Sequence, residues 1–326
     1  MRRKNNSSPY QPGLFDSLDD FTERLDTGFE IIPAEKMQQI ARSYEKSSGI
    51  EEMSPLEPND NVFFMSFGSG SSGNCAYIGD YTAGFLIDAG VDAKKVTASL
   101  IANGISMDRV KGIILTHDHH DHISQAYALL RANRHMRLYC TPRTFNGILR
   151  RHNISRRIKD YHTPIYKEFP FKLGQFEITA FEVLHDGSDN AGFHISHSGH
   201  NITVATDLGC ISPRVDYYMR LADTIIIESN YDLHMLQTGT YPAHLKARIL
   251  ANNGHLDNAV TAEFLAGIAT PQLRNVYLCH LSHDNNQPAI ALRTVNDALA
   301  QAMPGAADPI RVIALPRYDS TPLYTL

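Results

Sequence analysis

The apolar run Gly112 to Thr116, followed at once by His117-Asp118-His119-His120-Asp121-His122, constrains this chain more than any other feature. A short β-branched apolar run reads as a buried strand. Six ionisable side chains directly behind it cannot enter an apolar core unpaired. They belong at a strand end, in a tight loop that turns several of them toward a common point. The spacing lets His117 and His119 aim at one ion while Asp121 and His122 reach a second. Imidazole and carboxylate suit zinc, manganese or iron.

Such a loop needs partners from elsewhere in the chain, and three stand in equivalent places. His185 follows the run Phe176 to Val183, Asp207 follows Ile202 to Thr206, and His280 follows Val276 to Cys279. A lone histidine is ordinarily a surface or packing residue. Ligand types recurring at four strand ends point instead to one shared rim. Asp118 and His120 fill intervening positions and are not expected to be ligands. Asp88 closes the run Phe85 to Asp88 and is expected to orient a ligand. His234, His244, His255 and His283 remain open as residues that orient a ligand, proton donors or surface residues.

From Asn61 onward, short strands alternate with helical segments at Ala93–Ala102, Ile123–Ala132, Thr144–Arg151, Pro242–Leu250, Asp257–Ala269 and Ala289–Ala302. This pattern predicts one layered α/β domain over residues 61–326. Residues 1–60 differ. They carry a polar start, a possible helix at Ala34–Glu45 and a Ser/Glu/Pro stretch at Ser54–Asp60, and read as a partly disordered extension. Within them Gln11-Pro12-Gly13-Leu14-Phe15 resembles a peptide that docks bacterial DNA enzymes on the sliding clamp; an inert tail is the plain alternative.

Four scattered cysteines exclude a disulfide framework and fit a reducing cytoplasm. No signal peptide is read, and no apolar run is long enough to span a bilayer. The net charge of −5 does not suggest a polyanion, but its distribution does. Residues 131–159 hold nine Arg or Lys and no Asp or Glu, leaving 21 basic against 35 acidic residues elsewhere. A solvated surface is the plain reading. A contact to nucleic-acid phosphates through Arg150, Arg151, Arg156 and Arg157 is the functional one.

The motif Thr116 to His122, with downstream His185, Asp207 and His280, resembles the metallo-β-lactamase superfamily over roughly residues 61–316. The resemblance implies a four-layer αββα sandwich with two divalent metal ions, zinc or manganese, at one edge. His117, His119 and His185 would hold the first ion, Asp121, His122 and His280 the second, and Asp207 would bridge them. The β-lactam-hydrolysing members commonly place a Cys in the second site, so antibiotic hydrolysis is not expected.

Four further segments narrow the resemblance: Ser69-Gly-Ser-Ser-Gly-Asn74, Glu228-Ser-Asn-Tyr-Asp232, Gly254-His-Leu-Asp-Asn258 and His280-Leu-Ser-His-Asp-Asn-Asn286. Together they resemble the YycJ/WalJ/VicX group of bacterial DNA exonucleases. The implied reaction is 5′-to-3′ exonucleolytic cleavage of double-stranded DNA by a two-metal-activated hydroxide; a role in DNA repair would fit the clamp-docking peptide. Asp121 is expected to be essential to turnover, and His255 or His283 could protonate the leaving oxygen. Ser71, Ser72 and Asn74 of the Gly/Ser loop, with Asn230 and Asn258, are candidate substrate contacts. Only 72 residues separate Asp207 from His280, read as a strand and two helices, which leaves no room for the large insertion of the β-CASP ribonucleases. A transfer-RNA-processing ribonuclease and a thioester or lactone hydrolase remain the alternatives.

Overall fold

Alternation along the strands decides the layers. In the computed structural model, which describes residues 61–305 and 309–326, Phe63, Met65 and Phe67 of one strand join one core cluster, while Val62 and Phe64 face another. The first sheet contains β1 (Phe63–Gly68), β2 (Cys75–Gly79), β3 (Gly84–Ile87), β4 (Val110–Ile114), β5 (Arg137–Cys140) and β6 (His162–Pro164). The second contains β7 (Phe171–Leu173), β8 (Phe176–Glu182), β9 (Ala191–His197), β10 (His200–Ala205), β11 (Thr224–Glu228), β12 (Asn275–Cys279) and β13 (Arg311–Ala314). A last strand, β14 (Tyr324–Thr325), returns to pair with β1, so that each sheet has seven strands.

The α-helices among the described residues are α1 (Ala93–Ala102), α2 (His120–Ile123), α3 (Ala126–Ala132), α4 (Pro142–Arg151), α5 (Pro213–Arg220), α6 (Leu233–Thr238), α7 (Ala243–Ile249), α8 (Asn258–Ile268) and α9 (Pro288–Ala302). Residues of α1, α3 and α4 pack on the outer face of the first sheet. Those of α5, α8 and α9 cover the second, against Ile225, Ile227, Val276 and Leu278. The inward residues Ile226, Tyr277, Phe64, Phe85, Phe176 and Phe193 fill the space between the sheets. Each such side chain contributes about 1.5–3 kcal/mol by leaving water. The expected αββα sandwich is therefore the observed architecture.

Some elements differ from the sequence reading. Strands β6, β7, β9 and β14 and helices α5 and α6 were not expected. The segment Ile123–Ala132 is two helices, because the chain turns at Ser124 and Gln125 between α2 and α3. The stretch from Asp207 to His280 holds α5, α6, α7 and α8 as well as β11 and β12, rather than two helices and a strand. Hairpin β9–β10 closes through Ser198 and Gly199, both at positive φ (47° and 82°), the pairing that a two-residue turn requires. Residues 34–45 and 11–15 lie outside the described residues.

The topology positions the site. Strands β3 and β4 run parallel in the first sheet, and β10, β11 and β12 run parallel in the second. Strand β8 points the same way as β10, because each is antiparallel to β9. Their C-terminal ends lead into Asp88, His117, His185, Asp207, Glu228 and His280. Asp88 and His280, immediately after their strands, and Asp207, two residues after its own, take left-handed φ values of 60°, 54° and 27°. Such kinks cost of order 1–3 kcal/mol in a non-glycine residue and persist only where surrounding bonds hold them.

Candidate metal centre

The loop after β4 is fixed by backbone bonds before any side chain acts. Ala89 N donates to His122 O (2.7 Å) and Asn74 N to Asp121 O (2.8 Å). Gly90 permits this approach, since a Cβ there would lie 1.6 Å from Asp121 O. His119 then sits at the start of α2, and the turn carries Asp121 and His122 to its inner side.

Four imidazoles are held by one nitrogen and turned inward by the other. His122 Nδ1 donates to Asp88 Oδ2 (2.8 Å), His185 Nδ1 to Gly254 O (2.9 Å) and His280 Nδ1 to Glu228 Oε1 (2.8 Å). His117 Nδ1 donates to the Thr116 hydroxyl (2.9 Å), which itself donates to Asp88. Fixing one nitrogen this way selects the tautomer that leaves Nε2 as a lone-pair donor.

The inward atoms surround Asp207. Its Oδ2 lies 3.6 Å from His117 Nε2 and 3.4 Å from His185 Nε2. Its Oδ1 lies 3.4 Å from His122 Nε2 and from His280 Nδ1. Asp121 Oδ2 is 3.6 Å from His122 Nε2 and 3.8 Å from His280 Nε2. Three sets of donor atoms result, each within 4.8 Å: His117, His119, His185 and Asp207; Asp121, His122 and His280; and Asp207, His255 and His280. The Nε2 atoms of His117, His185 and His280 and Asp207 Oδ1 are buried and lack hydrogen-bond partners among the described residues. Each such orphan costs about 1–3 kcal/mol. Lone pairs converging in this way, with neighbouring carboxylates, fit a divalent cation.

The electrostatics agree. Burial would raise the Asp207 carboxyl, yet His280 and His122 hold it well below the usual carboxylate range. Burial likewise opposes ionisation of Glu228, but His255 and His280 beside it bring it down to about 2. Burial would lower His280, but the carboxylates of Asp207, Asp121 and Glu228 push it up to about 10. His117, buried and facing other imidazoles, is lowered well below the ordinary value. Negative charge gathered at this rim calls for positive charge among it.

The other residues singled out in the sequence divide. Asp88 is buried and buttresses His122. Asn74 is buried too, donating to Asp121 Oδ2 (3.2 Å) and bonding His122 Nε2 (2.9 Å). Asn230 lines the cleft and donates to His280 O (2.7 Å). His255 lies in the same cleft with Nδ1 donating to Glu228 Oε1 (2.7 Å), which raises its pKa against the effect of burial. Ser71 and Ser72 are exposed on the Gly/Ser loop, and Ser71 reaches the cleft wall.

Two candidates are placed elsewhere. The Asn258 amide is buried between Ser229 and Asn286, bonded to both, and no face of it is left for substrate. His283 is exposed, bonds to Asp284 and does not line the cleft. Arg150, Arg151, Arg156 and Arg157 are all exposed. Arg151 lies 3.9 Å from Asp118 on the ligand loop, whereas Arg157 is 3.6 Å from Asp160. The Gly/Ser loop uses the amides of Ser69, Gly70, Gly73 and Asn74 internally, leaving those of Ser71 and Ser72.

Sequence reasoning gave Glu228 and Thr116 no role beyond their motifs, and missed Asp186 and the cleft residues Tyr241, Arg248 and Arg317. Glu228 carried a signal, since an acid ending an apolar strand needs a buried partner as Asp88 does. Asp186 Oδ1 is buried without a partner, 3.2 Å from His119 Nε2 and 3.4 Å from His185 Nε2.

Comparison with known proteins agrees with this geometry. A profile of the β-lactamase superfamily domain matches residues 84–281. Exodeoxyribonuclease YycJ of Bacillus anthracis is 30% identical over 246 residues, covering 74% of this chain and 90% of that protein. Exodeoxyribonuclease WalJ of Streptococcus pneumoniae is 31% identical over 255 residues, covering 78% and 92%. Among solved structures, the metallo-β-lactamase fold protein YhfI from Bacillus subtilis superposes with a TM-score of 0.58 at 15% identity, covering 81% of this chain and 99% of that one. The chain belongs to the metallo-β-lactamase superfamily of hydrolases and, within it, to the group of YycJ and WalJ.

Proposed function

We propose that the chain is a metal-dependent phosphodiesterase that degrades double-stranded DNA from the 5′ end, acting in the cytoplasm in DNA repair. The supporting observation is the inward convergence of unpartnered Nε2 and carboxylate atoms on Asp207, in a chain whose relatives are named exodeoxyribonucleases. Two divalent ions are assigned, zinc or manganese. His117, His119, His185 and Asp207 would hold one; Asp121, His122 and His280, with Asp207 shared, would hold the other. When bound, such ions supply a water of lowered pKa and Lewis-acid polarisation of phosphoryl oxygens.

The remaining work falls to the chain. Asp88, Thr116, Gly254 and Glu228 fix the rings of His122, His117, His185 and His280. Asn74 orients the Asp121 carboxylate. His255, anchored through Nδ1 on Glu228, presents Nε2 to the cleft and donates a proton there to the leaving oxygen. Arg150 and Arg151 at the end of α4 and Arg156 and Arg157 beyond it draw the phosphate backbone toward the rim. No helix among the described residues is long and apolar enough to cross a membrane. Gln11 to Phe15 would, on its resemblance alone, be a sliding-clamp peptide; a clamp pull-down unaffected by Leu14→Ala/Phe15→Ala would leave it an inert tail.

The test is cleavage of end-labelled double-stranded DNA in EDTA, Zn²⁺ and Mn²⁺, with Asp121→Ala as control. Metal-dependent shortening from the 5′ end, lost in the variant, is expected. Metal-loaded protein that leaves DNA intact would overturn the reading.

A further inference from the structure

The cleft beside the metal centre has two guanidinium groups with different surroundings. Arg248 Nε donates to Asp186 Oδ2 at 2.7 Å, so its charge is neutralised within the protein. Arg317 has no carboxylate within ion-pairing distance among the described residues. It is held by neutral acceptors, donating through one nitrogen to Ser71 Oγ (3.2 Å) and through the other to Leu281 O. Asp284 on the same rim is bonded to His283 and Tyr241 instead. The charge of Arg317 is therefore available to an anion.

The loop facing it has matching donors. Gly70, at φ +145°, brings the Gly/Ser loop so close that a Cβ would lie 2.9 Å from the Arg317 guanidinium. Beside it, Ser71 and Ser72 are exposed, and their backbone amides have no acceptor among the described residues. The place is adjacent to the metal centre: Leu281 follows His280, and Ser69 Oγ accepts from His280 N (2.8 Å). A guanidinium fork opposite backbone amides and a hydroxyl is the donor set that a phosphate takes.

We infer that Arg317, with the Ser71 hydroxyl and the amides of Ser71 and Ser72, forms a subsite for a phosphate group of the DNA strand, next to the one being cleaved. The inference rests on the nuclease reading and names a contact within it. The phosphate is either the terminal monoester or the neighbouring diester, since both present the same oxygens.

The test is binding of a dye-labelled duplex with cleavage-resistant phosphorothioate linkages to the zinc-loaded full chain, with a 5′-phosphate or a 5′-hydroxyl end, as a function of salt. Arg317→Gln is expected to weaken binding about tenfold and to lower the salt slope by about one. Arg317→Lys should restore the slope, because it keeps the charge without the fork. Arg220→Gln, at an exposed arginine of α5 bonded to Asp216, sets the background. Thermal melts identify any variant that fails to fold. A terminal-phosphate subsite appears as a preference of the wild type for the phosphorylated end that Arg317→Gln abolishes. A diester subsite appears as equal loss with both ends. Affinity and slope unchanged in Arg317→Gln would overturn the subsite while leaving the nuclease reading intact. No binding of either duplex by the wild type would overturn both.

Discussion

Glu228 Oε1 lies 2.8 Å from His280 Nδ1, in surroundings where Glu228 is fully closed to solvent. The same oxygen accepts from His255 Nδ1 at 2.7 Å, and Oε2 accepts from the amides of Leu208 and Leu256. One carboxylate thus sets two rings and two backbone segments of the rim. Glu228→Gln replaces an acceptor with a donor on one side, so one pair must face donor to donor. Metal affinity should fall about 10–100-fold, as for other partners that orient ligands. Calorimetric titration of the metal-free variant with Zn²⁺ measures it, and an affinity equal to wild type would show that Glu228 only fills space.

The two oxygens of Asp207 face different imidazoles, and this predicts stoichiometry. Asp121→Ala leaves His117, His119, His185 and Asp207 in place and should retain one ion per chain. Asp207→Ala removes the group common to both sets and should retain none after dialysis. Elemental analysis of the purified variants decides; two ions in Asp207→Ala would exclude a bridging role.

Binding an ion competes with protons, and the sign follows from His280. Its pKa in the metal-free chain is pushed up to about 10, so at pH 7 it carries a proton that a metal must displace. Affinity should therefore rise with pH across the neutral range toward about 10 and weaken as pH falls. The enthalpy of Zn²⁺ binding at pH 7 should also vary with the ionisation enthalpy of the buffer. A buffer-independent enthalpy would mean that no proton is released.

Gly90 tests whether the loop geometry is required. A methyl group there would meet Asp121 O at 1.6 Å, and that atom is backbone, so the loop itself must move. Gly90→Ala should destabilise by about 3 kcal/mol, the upper range for overpacking, and release the second ion first. Denaturant melts with and without metal give both quantities.

These dependences also explain what the sequence could disclose. His117 to His122 is legible because strand and ligands are contiguous, and His185, Asp207 and His280 because each follows its own apolar run. Strand β9 was hidden because Gly192, His194 and His197 dilute its alternation, although Phe193 and Ile195 are buried. Asp186 and Arg248 are 62 positions apart, and Arg317 and Ser71 are 246 apart. Their pairing exists only after the sandwich closes and β14 draws the C-terminal segment back beside β1. No local period reports such a contact. The Gly/Ser loop shows the converse: its composition marked Ser71, Ser72 and Asn74 alike as substrate contacts, yet four of its amides, that of Asn74 among them, are bonded within the protein and only those of Ser71 and Ser72 are left.

Asp186 provides the last prediction. Its Oδ1 faces His119 Nε2 at 3.2 Å with no hydrogen-bond partner, while Arg248 holds Oδ2 at 2.7 Å. Burial would raise this carboxyl, but the bond to Arg248 and the charge of His185 hold it below the ordinary value, keeping an anion beside the first ion set. Asp186→Asn removes that charge with little change of shape and should weaken the ion held by His117, His119 and His185 about tenfold, without altering the other. Arg248→Ala should act in the same direction and more weakly, since it frees the carboxylate without removing it. If Arg248 works through Asp186, the double variant loses no more than Asp186→Asn alone. Additive losses would instead place Arg248 on a separate route to the cleft.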